Sequence, residues 1–219
     1  MNSESKLLLF TGLFVTSLLI SNIIAGKIVE IWNFTVPAAV IVFPITFLIT
    51  DTVNEVWGKN KAKELVWLGF YMNILMLLLL YLAIILPPAD TWGNQQAFET
   101  VFSSVPRMVV ASLMAYLVSQ LFDVWFFNLW KKITRGRYLW QRNNFSTLIS
   151  QFFDSLVFIV IGFLGVVPLS VLISMIFSQY IIKVIFALID TPFCYLTVNW
   201  ARKSLKKEAA FDESGEGSR

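Results

Sequence analysis

The strongest constraint on this chain is that apolar runs long enough to cross a bilayer follow one another almost from end to end. A span needs roughly 20 mainly apolar residues to cover about 30 Å of hydrocarbon. Six segments qualify, at about Leu7–Ala25, Val36–Trp57, Leu65–Leu86, Val105–Trp130, Phe145–Val167 and Leu169–Trp200. The expected fold is therefore all-α: a polytopic membrane protein with a bundle of about six transmembrane helices. The sixth run exceeds the minimum length, so it must tilt, kink or extend past the lipid. Asp190-Thr191-Pro192 is the expected kink, because proline removes a helix hydrogen bond.

Composition agrees. Of 219 residues, 57% are hydrophobic and 14% charged, with a mean hydropathy of +0.71. A soluble domain carries about a quarter charged residues. Residues 1–207 are read as one transmembrane domain. The polar segment 208–219 (EAAFDESGEGSR) is read as a disordered cytoplasmic tail. The first run has only Lys6 ahead of it and would place Ile23 at the −3 position of a cleavage site, so it is expected to be a retained helix rather than a signal peptide.

The net charge of +3 does not point to nucleic acid, since the basic residues cluster at the ends of apolar runs, where they orient helices. Lys59, Lys61 and Lys63 lie between spans two and three. Lys131, Lys132, Arg135, Arg137 and Arg142 lie between spans four and five, and Arg202, Lys203, Lys206 and Lys207 follow span six. The opposite loops hold only Lys27 and Arg107, near their edges, while the longest, Pro87–Ser104, has Asp90 and Glu99 but no Lys or Arg. The positive-inside rule then predicts cytoplasmic termini, with Trp57, Trp130 and Trp200 at the inner interface.

There is no histidine, and Cys194 is the one cysteine. That excludes an internal disulfide, the usual zinc sites and most His-dependent catalysis, and the chain lacks the GxxxxGK[ST] phosphate loop. No enzyme activity, metal or cofactor is expected. Cys194 reads as a small buried residue. Ser17, Ser21 and Ala25, four residues apart, read as a helix-packing stripe.

Five carboxylates fall inside the apolar runs: Asp51, Glu55, Asp123, Asp154 and Asp190. A charged Asp at a helix centre costs on the order of 3 kcal/mol on insertion scales, which marks such residues as functional. Lys183 is the single cation well inside, so carboxylates are in surplus. SQLFDVWFF (Ser119–Phe127) reappears as SQFFDSLVF (Ser150–Phe158), with a looser echo, SQYIIKVIF (Ser178–Phe186), in span six. Repeats in transporters often frame a binding site.

Helical spacing places Tyr116, Gln120, Asp123 and Phe127 on one face, and Asn144, Thr147, Gln151 and Asp154 on another. At about 1.5 Å per residue, Asp123 lies roughly 10 Å, Asp154 roughly 16 Å and Asp51 roughly 9 Å from the cytoplasmic ends. These positions can converge on one cavity in the inner half of the membrane. Glu55 lies near the interface, where it is expected to meet the lysine loop. Carboxylates, amides and aromatic faces suit a flat, donor-rich or cationic solute, such as one with a guanine-like edge. A surplus of carboxylate would further favour a cationic group on that solute.

FPITFLITDTVNEVWG (Phe43–Gly58), ASLMAYLVSQLFDVWFFN (Ala111–Asn128) and RNNFSTLISQFFDSLVF (Arg142–Phe158) resemble the queuosine precursor transporters, a vitamin-uptake-like membrane family. SNIIAGK (Ser21–Lys27), which contains Asn22, and YIIKVIF (Tyr180–Phe186) are similar to weaker blocks of it. The resemblance implies a six-helix importer in the cytoplasmic (inner) membrane. Its substrates would be deazapurine bases, such as the aminomethyl and cyano deazaguanines or queuine, salvaged for tRNA modification. It adds Asn143 and Ser146 to the candidate substrate-binding set of Asp51, Gln120, Asp123, Thr147, Gln151, Asp154 and Lys183. Asn22, Glu55, Tyr116, Phe127 and Asp190 stand further out. The alternative is the substrate-capture subunit of an energy-coupling vitamin transporter.

Overall fold

The computed structural model describes residues 2–133 and 139–213; within them, the side chains of residues 123, 124, 127, 131, 139–147, 187, 188, 190, 191 and 204–213 are not described. The elements are α1 (Ser3–Ile24), β1 (Ile28–Ile31), β2 (Phe34–Pro37), a 3-10 turn (Ala38–Ile41), α2 (Phe43–Trp57), α3 (Lys59–Ile85), α4 (Gln95–Phe102), α5 (Val105–Ile133), α6 (Leu139–Phe163) and α7 (Leu169–Glu213). Four stretches are long and apolar enough to cross a membrane: Ser3–Ile24, Lys59–Ile85, Gln95–Phe122 and Leu169–Phe186. Leu148–Phe163 is a shorter apolar helix. The chain is a helical, multi-pass membrane protein, and it divides into two compact units.

Unit 1 holds Met1–Ser21, Ile41–Leu78 and Phe186–Arg219. Its core is Phe10, Phe14, Ile49, Val53, Leu65 and Ala201. Phe10 with Phe14, and Ile49 with Val53, are i, i+4 pairs that give α1 and α2 one apolar face each. Since lipid is as apolar as leucine, helices in it associate through close packing. Gly69 provides such a contact: a Cβ there would lie 2.7 Å from Leu18 Cδ2 and 2.9 Å from Phe14 Cε1, so its absence lets α1 seat against α3. The hydroxyls of Thr52 and Thr197, 2.7 Å apart, tie α2 to α7.

At one end of this unit, Trp57 Nε1 donates to Ser3 Oγ at 3.0 Å. Lys6 Nζ donates to the Trp200 carbonyl at 2.6 Å and lies 4.3 Å from the centre of the Trp200 ring. Phe10 meets both indoles edge-on at 5.9 Å. The start of α1, the end of α2 and the Trp200 turn of α7 are thereby gathered together. The expected lysine loop is absent: Gly58, at φ +86°, turns α2 directly into α3, and Lys59, Lys61 and Lys63 sit in the first turns of that helix.

Unit 2 holds Asn22–Val40 and Leu79–Ile185. The run expected to form one helix from Val36 to Trp57 does not do so. Val36 and Pro37 end a two-stranded antiparallel hairpin in which Ile28 faces Pro37 and Ile31 faces Phe34. Thr35 and Val36 are β-branched and favour a strand, and proline is tolerated at a strand end. Helix begins only at Phe43, with a proline in its first turn. Val36, Ala39 and Val40 are nonetheless buried, so this irregular backbone is shielded by protein, as lipid requires. The hairpin is also the one departure from an all-α fold among the described residues.

The segment expected as a long outer loop contains α4. Gln95 Nε2 donates to the Ile84 carbonyl at 3.2 Å, satisfying a free acceptor in the last turn of α3. α5 and α6 run antiparallel. Arg107, at the start of α5, donates from Nε to the Ile161 carbonyl and from Nη2 to the Leu164 carbonyl, both at 2.6 Å, at the end of α6. Phe122, toward the other end of α5, meets Phe153. α7 carries Pro192 inside the helix and continues through Glu213, into the segment expected to be a disordered tail.

Candidate functional site

The three sequence echoes fall on α5, α6 and α7, and their leading serines Ser119, Ser150 and Ser178 are all buried. Small hydroxyl residues at these points let helices approach, and Ser119 Oγ is satisfied locally by donating to the Tyr116 carbonyl at 3.0 Å. The glutamines that follow them diverge. Gln120 is exposed, Gln151 is half-buried and Gln179 is 1% exposed.

α6 and α7 meet through Phe152, which lies edge-on to Tyr180 at 5.6 Å and against Phe177 at 6.4 Å. Beside these rings, Lys183 Nζ donates to Asp154 Oδ2. The Lys183 side chain is 3% exposed and that of Asp154 18%. Two opposite charges this buried must be held together, since removing one partner from such a pair costs about 3–5 kcal/mol. The one cation set against the intramembrane carboxylates is thereby assigned to Asp154. Asp154 is matched by Lys183, and Glu55 is matched by Arg202 on α7 rather than by the lysine loop.

Gln151 lies one helical turn before Asp154, and Gln179 one turn before Lys183, so each amide shares a face with one member of the ion pair. Among the described residues, Gln151 Oε1 and both amide atoms of Gln179 are buried without a hydrogen-bond partner. An unmade buried hydrogen bond costs about 1–3 kcal/mol, so such groups call for an explanation. Gln179 is not among the candidates expected from the sequence. The signal was present, since Gln179 holds the same place in SQYIIKVIF that Gln120 and Gln151 hold in their blocks.

The remaining candidates are dispersed. Asp51 is exposed on α2 and, like Glu55, belongs to unit 1. Asn22 is buried at the end of α1, in unit 2. Tyr116 is exposed, as is Gln120 on the same face of α5. Asp123, Phe127, Asn143, Ser146, Thr147 and Asp190 lie outside the residues whose side chains are described. Among the described residues, no group of three or more His, Cys, Asp or Glu could hold a metal ion. What the structure brings together is an internally neutralised ion pair flanked by amides and aromatic rings. That chemistry suits a flat, hydrogen-bonding solute and gives Asp154 no spare charge for a cationic arm.

Comparison with known proteins places the chain in a family. The family described as "Putative vitamin uptake transporter" matches residues 37–197. A protein of Bacillus subtilis (strain 168) named "Probable queuosine precursor transporter" is 34% identical over 188 residues, covering 84% of this chain and 82% of its own. A protein of Escherichia coli (strain K12) named "Queuosine precursor transporter" is 31% identical over 155 residues, covering 71% of this chain and 66% of its own. No solved structure matches the chain significantly. With the vitamin-uptake match spanning most of its length and both curated relatives sharing that name, the chain belongs to the queuosine precursor transporter family.

Proposed function

We propose that this protein imports queuosine precursors, deazaguanine bases among them, across the cytoplasmic membrane, and that the base binds beside Gln151, Asp154 and Lys183. The observation that carries this reading is the buried cluster itself. Two helices of a lipid-embedded chain invest an ion pair and two amides in one place, and intramembrane polar groups of this kind line solute paths. A neutral base fits a neutralised pair. The cyano and aminomethyl deazaguanines should therefore bind more nearly alike than a surplus of carboxylate would allow.

Six spans with both termini cytoplasmic is the topology we assign. Four stretches are long and apolar enough to cross, and we count the shorter apolar helix Leu148–Phe163 and α2 as the other two spans. The gathering of Ser3, Trp57 and Trp200 supports one common side for the start of α1, the end of α2 and the Trp200 turn. Asp123 and Thr147 complete the set to be tested.

The test is uptake of labelled deazaguanines by cells unable to make queuosine, with and without this gene. Uptake that depends on the gene supports the reading, and its absence would overturn it. Repeating the assay in a strain without energy-coupling ATPase subunits separates a stand-alone importer from a capture subunit.

A further inference from the structure

Gln179 presents an unusual combination. Its side chain is 1% exposed and sits one turn from a buried ion pair. Neither its carbonyl oxygen nor its amide nitrogen has a partner among the described residues. A leucine in its place would avoid that penalty at similar volume, so packing alone does not account for a glutamine. Gln151 adds a third orphan, its buried carbonyl oxygen Oε1. Together the two side chains leave two buried acceptors and one buried donor unused.

The hydrogen-bonding edge of a deazaguanine ring is the complement of that inventory. It presents, in a row, the 2-amino donor, the N1–H donor and the C6 carbonyl acceptor. An amide side chain pairs with a lactam through two parallel bonds, its carbonyl accepting from N1–H and its NH2 donating to the C6 carbonyl. We infer that Gln179 reads the lactam edge of the base in this way, while Gln151 Oε1 accepts from the 2-amino group. This rests on the reading of the protein as a deazaguanine importer and assigns the atoms that recognise the ring.

Adenine offers one donor and one acceptor in that row and a C–H where guanine has its 2-amino group. It would leave Gln151 Oε1 orphaned. A 2-desamino deazaguanine fails at the same point, and at that point alone. Phe152 and Tyr180, which meet edge-on at 5.6 Å between α6 and α7, each follow one of these glutamines in the sequence.

The test uses the full chain in proteoliposomes, with 7-deazaguanine and its 2-desamino analogue as competing substrates. The wild type should prefer 7-deazaguanine. Gln179→Leu should weaken uptake of both compounds at least about tenfold, the size of a lost buried hydrogen-bond contact. It should do so while accumulating normally in membranes and melting, without ligand, at or above the wild-type temperature. Gln151→Leu should abolish the preference between the two compounds. Gln179→Met is the second apolar variant, should leucine fit poorly. If both variants of Gln179 transport like wild type, the inference is overturned and the importer reading stands. If neither accumulates, the side chain serves the fold and the inference is again overturned. If the wild type itself takes up neither compound, the importer reading falls first.

Discussion

Phe122 and Phe153 stack face to face, with ring centroids 3.7 Å apart and planes within 4° of parallel. Each is the residue immediately before the aspartate of its block, Asp123 in one and Asp154 in the other. On two antiparallel helices, equivalent positions of the two echoes therefore meet each other. That arrangement makes the echo more than a chance match of apolar letters. It fixes the register of α5 against α6 one residue away from the acidic positions.

Aromatic pairs prefer offset or edge-on geometry, with centroids 4.5–7 Å apart, and contribute about 0.5–1.5 kcal/mol beyond burial. At 3.7 Å and nearly parallel, this pair is closer and flatter than that preference. Phe122→Leu and Phe153→Leu should each lower the melting temperature of the detergent-solubilised protein. The double variant should lose clearly less than the two single losses added together, because the second change removes no further stacking. Strictly additive losses would show that the rings do not act as a pair.

The Asp154–Lys183 pair yields a second prediction. Asp154→Asn keeps the shape of the side chain but leaves the Lys183 charge buried without its carboxylate, at a cost of about 3–5 kcal/mol. The single variant should accumulate poorly in membranes. Asp154→Asn combined with Lys183→Met removes both charges and should restore accumulation, with uptake still lost. Recovery of accumulation and uptake together would show that the pair is structural glue and take the substrate away from it.

These two cases show how far the sequence could be read. Runs of about 20 apolar residues announce a span because lipid leaves the backbone few choices, and α1, α3 and most of α5 and α7 lie where those runs predict. The hairpin was not legible. Thr35 to Ile41 is as apolar as any helix, and the turn at Trp32-Asn33 lacks the Asn-Gly signature. Trp32 instead adopts φ +54° and stands 87% exposed at the tip. Asp154 and Lys183 were both singled out as intramembrane charges, but their pairing depends on how α6 lies against α7. Gln179 gives a weaker signal because its block carries no aspartate, and an intramembrane carboxylate is the costlier residue.

Arg107 was read as a stray basic residue in an outer loop, and the structure gives it a task. Its guanidinium bonds the carbonyls of Ile161 and Leu164, where the end of α6 has acceptors unmatched within the helix and the negative end of its dipole. Charge-assisted hydrogen bonds contribute about 1.5–3 kcal/mol each when well buried, and one of these two is exposed. Arg107→Ala should therefore lower stability by about 2 kcal/mol in reversible unfolding, and Arg107→Lys should recover only part of it, since an ammonium lacks the fork that reaches both oxygens. Equal stability of the alanine variant and wild type would show that the cap is idle. Engaged in this way, Arg107 also does not count against the positive-inside pattern.

The topology supplies the last prediction, and cysteine accessibility in intact cells decides it. Replacing Cys194 with Ala leaves no native thiol, so single cysteines can be introduced at will. Asn94 lies just before α4, in the segment without Lys or Arg, and is exposed. Asn60 lies in the first turn of α3, among Lys59, Lys61 and Lys63, and is also exposed. α3 is 27 residues long, about 40 Å, which is enough to put these two positions on opposite sides of a bilayer. With the lysine cluster inside, a membrane-impermeant maleimide should label Asn94→Cys in whole cells. It should label Asn60→Cys only after the membrane is permeabilised. The reverse pattern would invert the protein in the membrane and move the candidate site from the inner half to the outer. Labelling of both positions from outside would mean that α3 does not span, and the six-span assignment would fall with it.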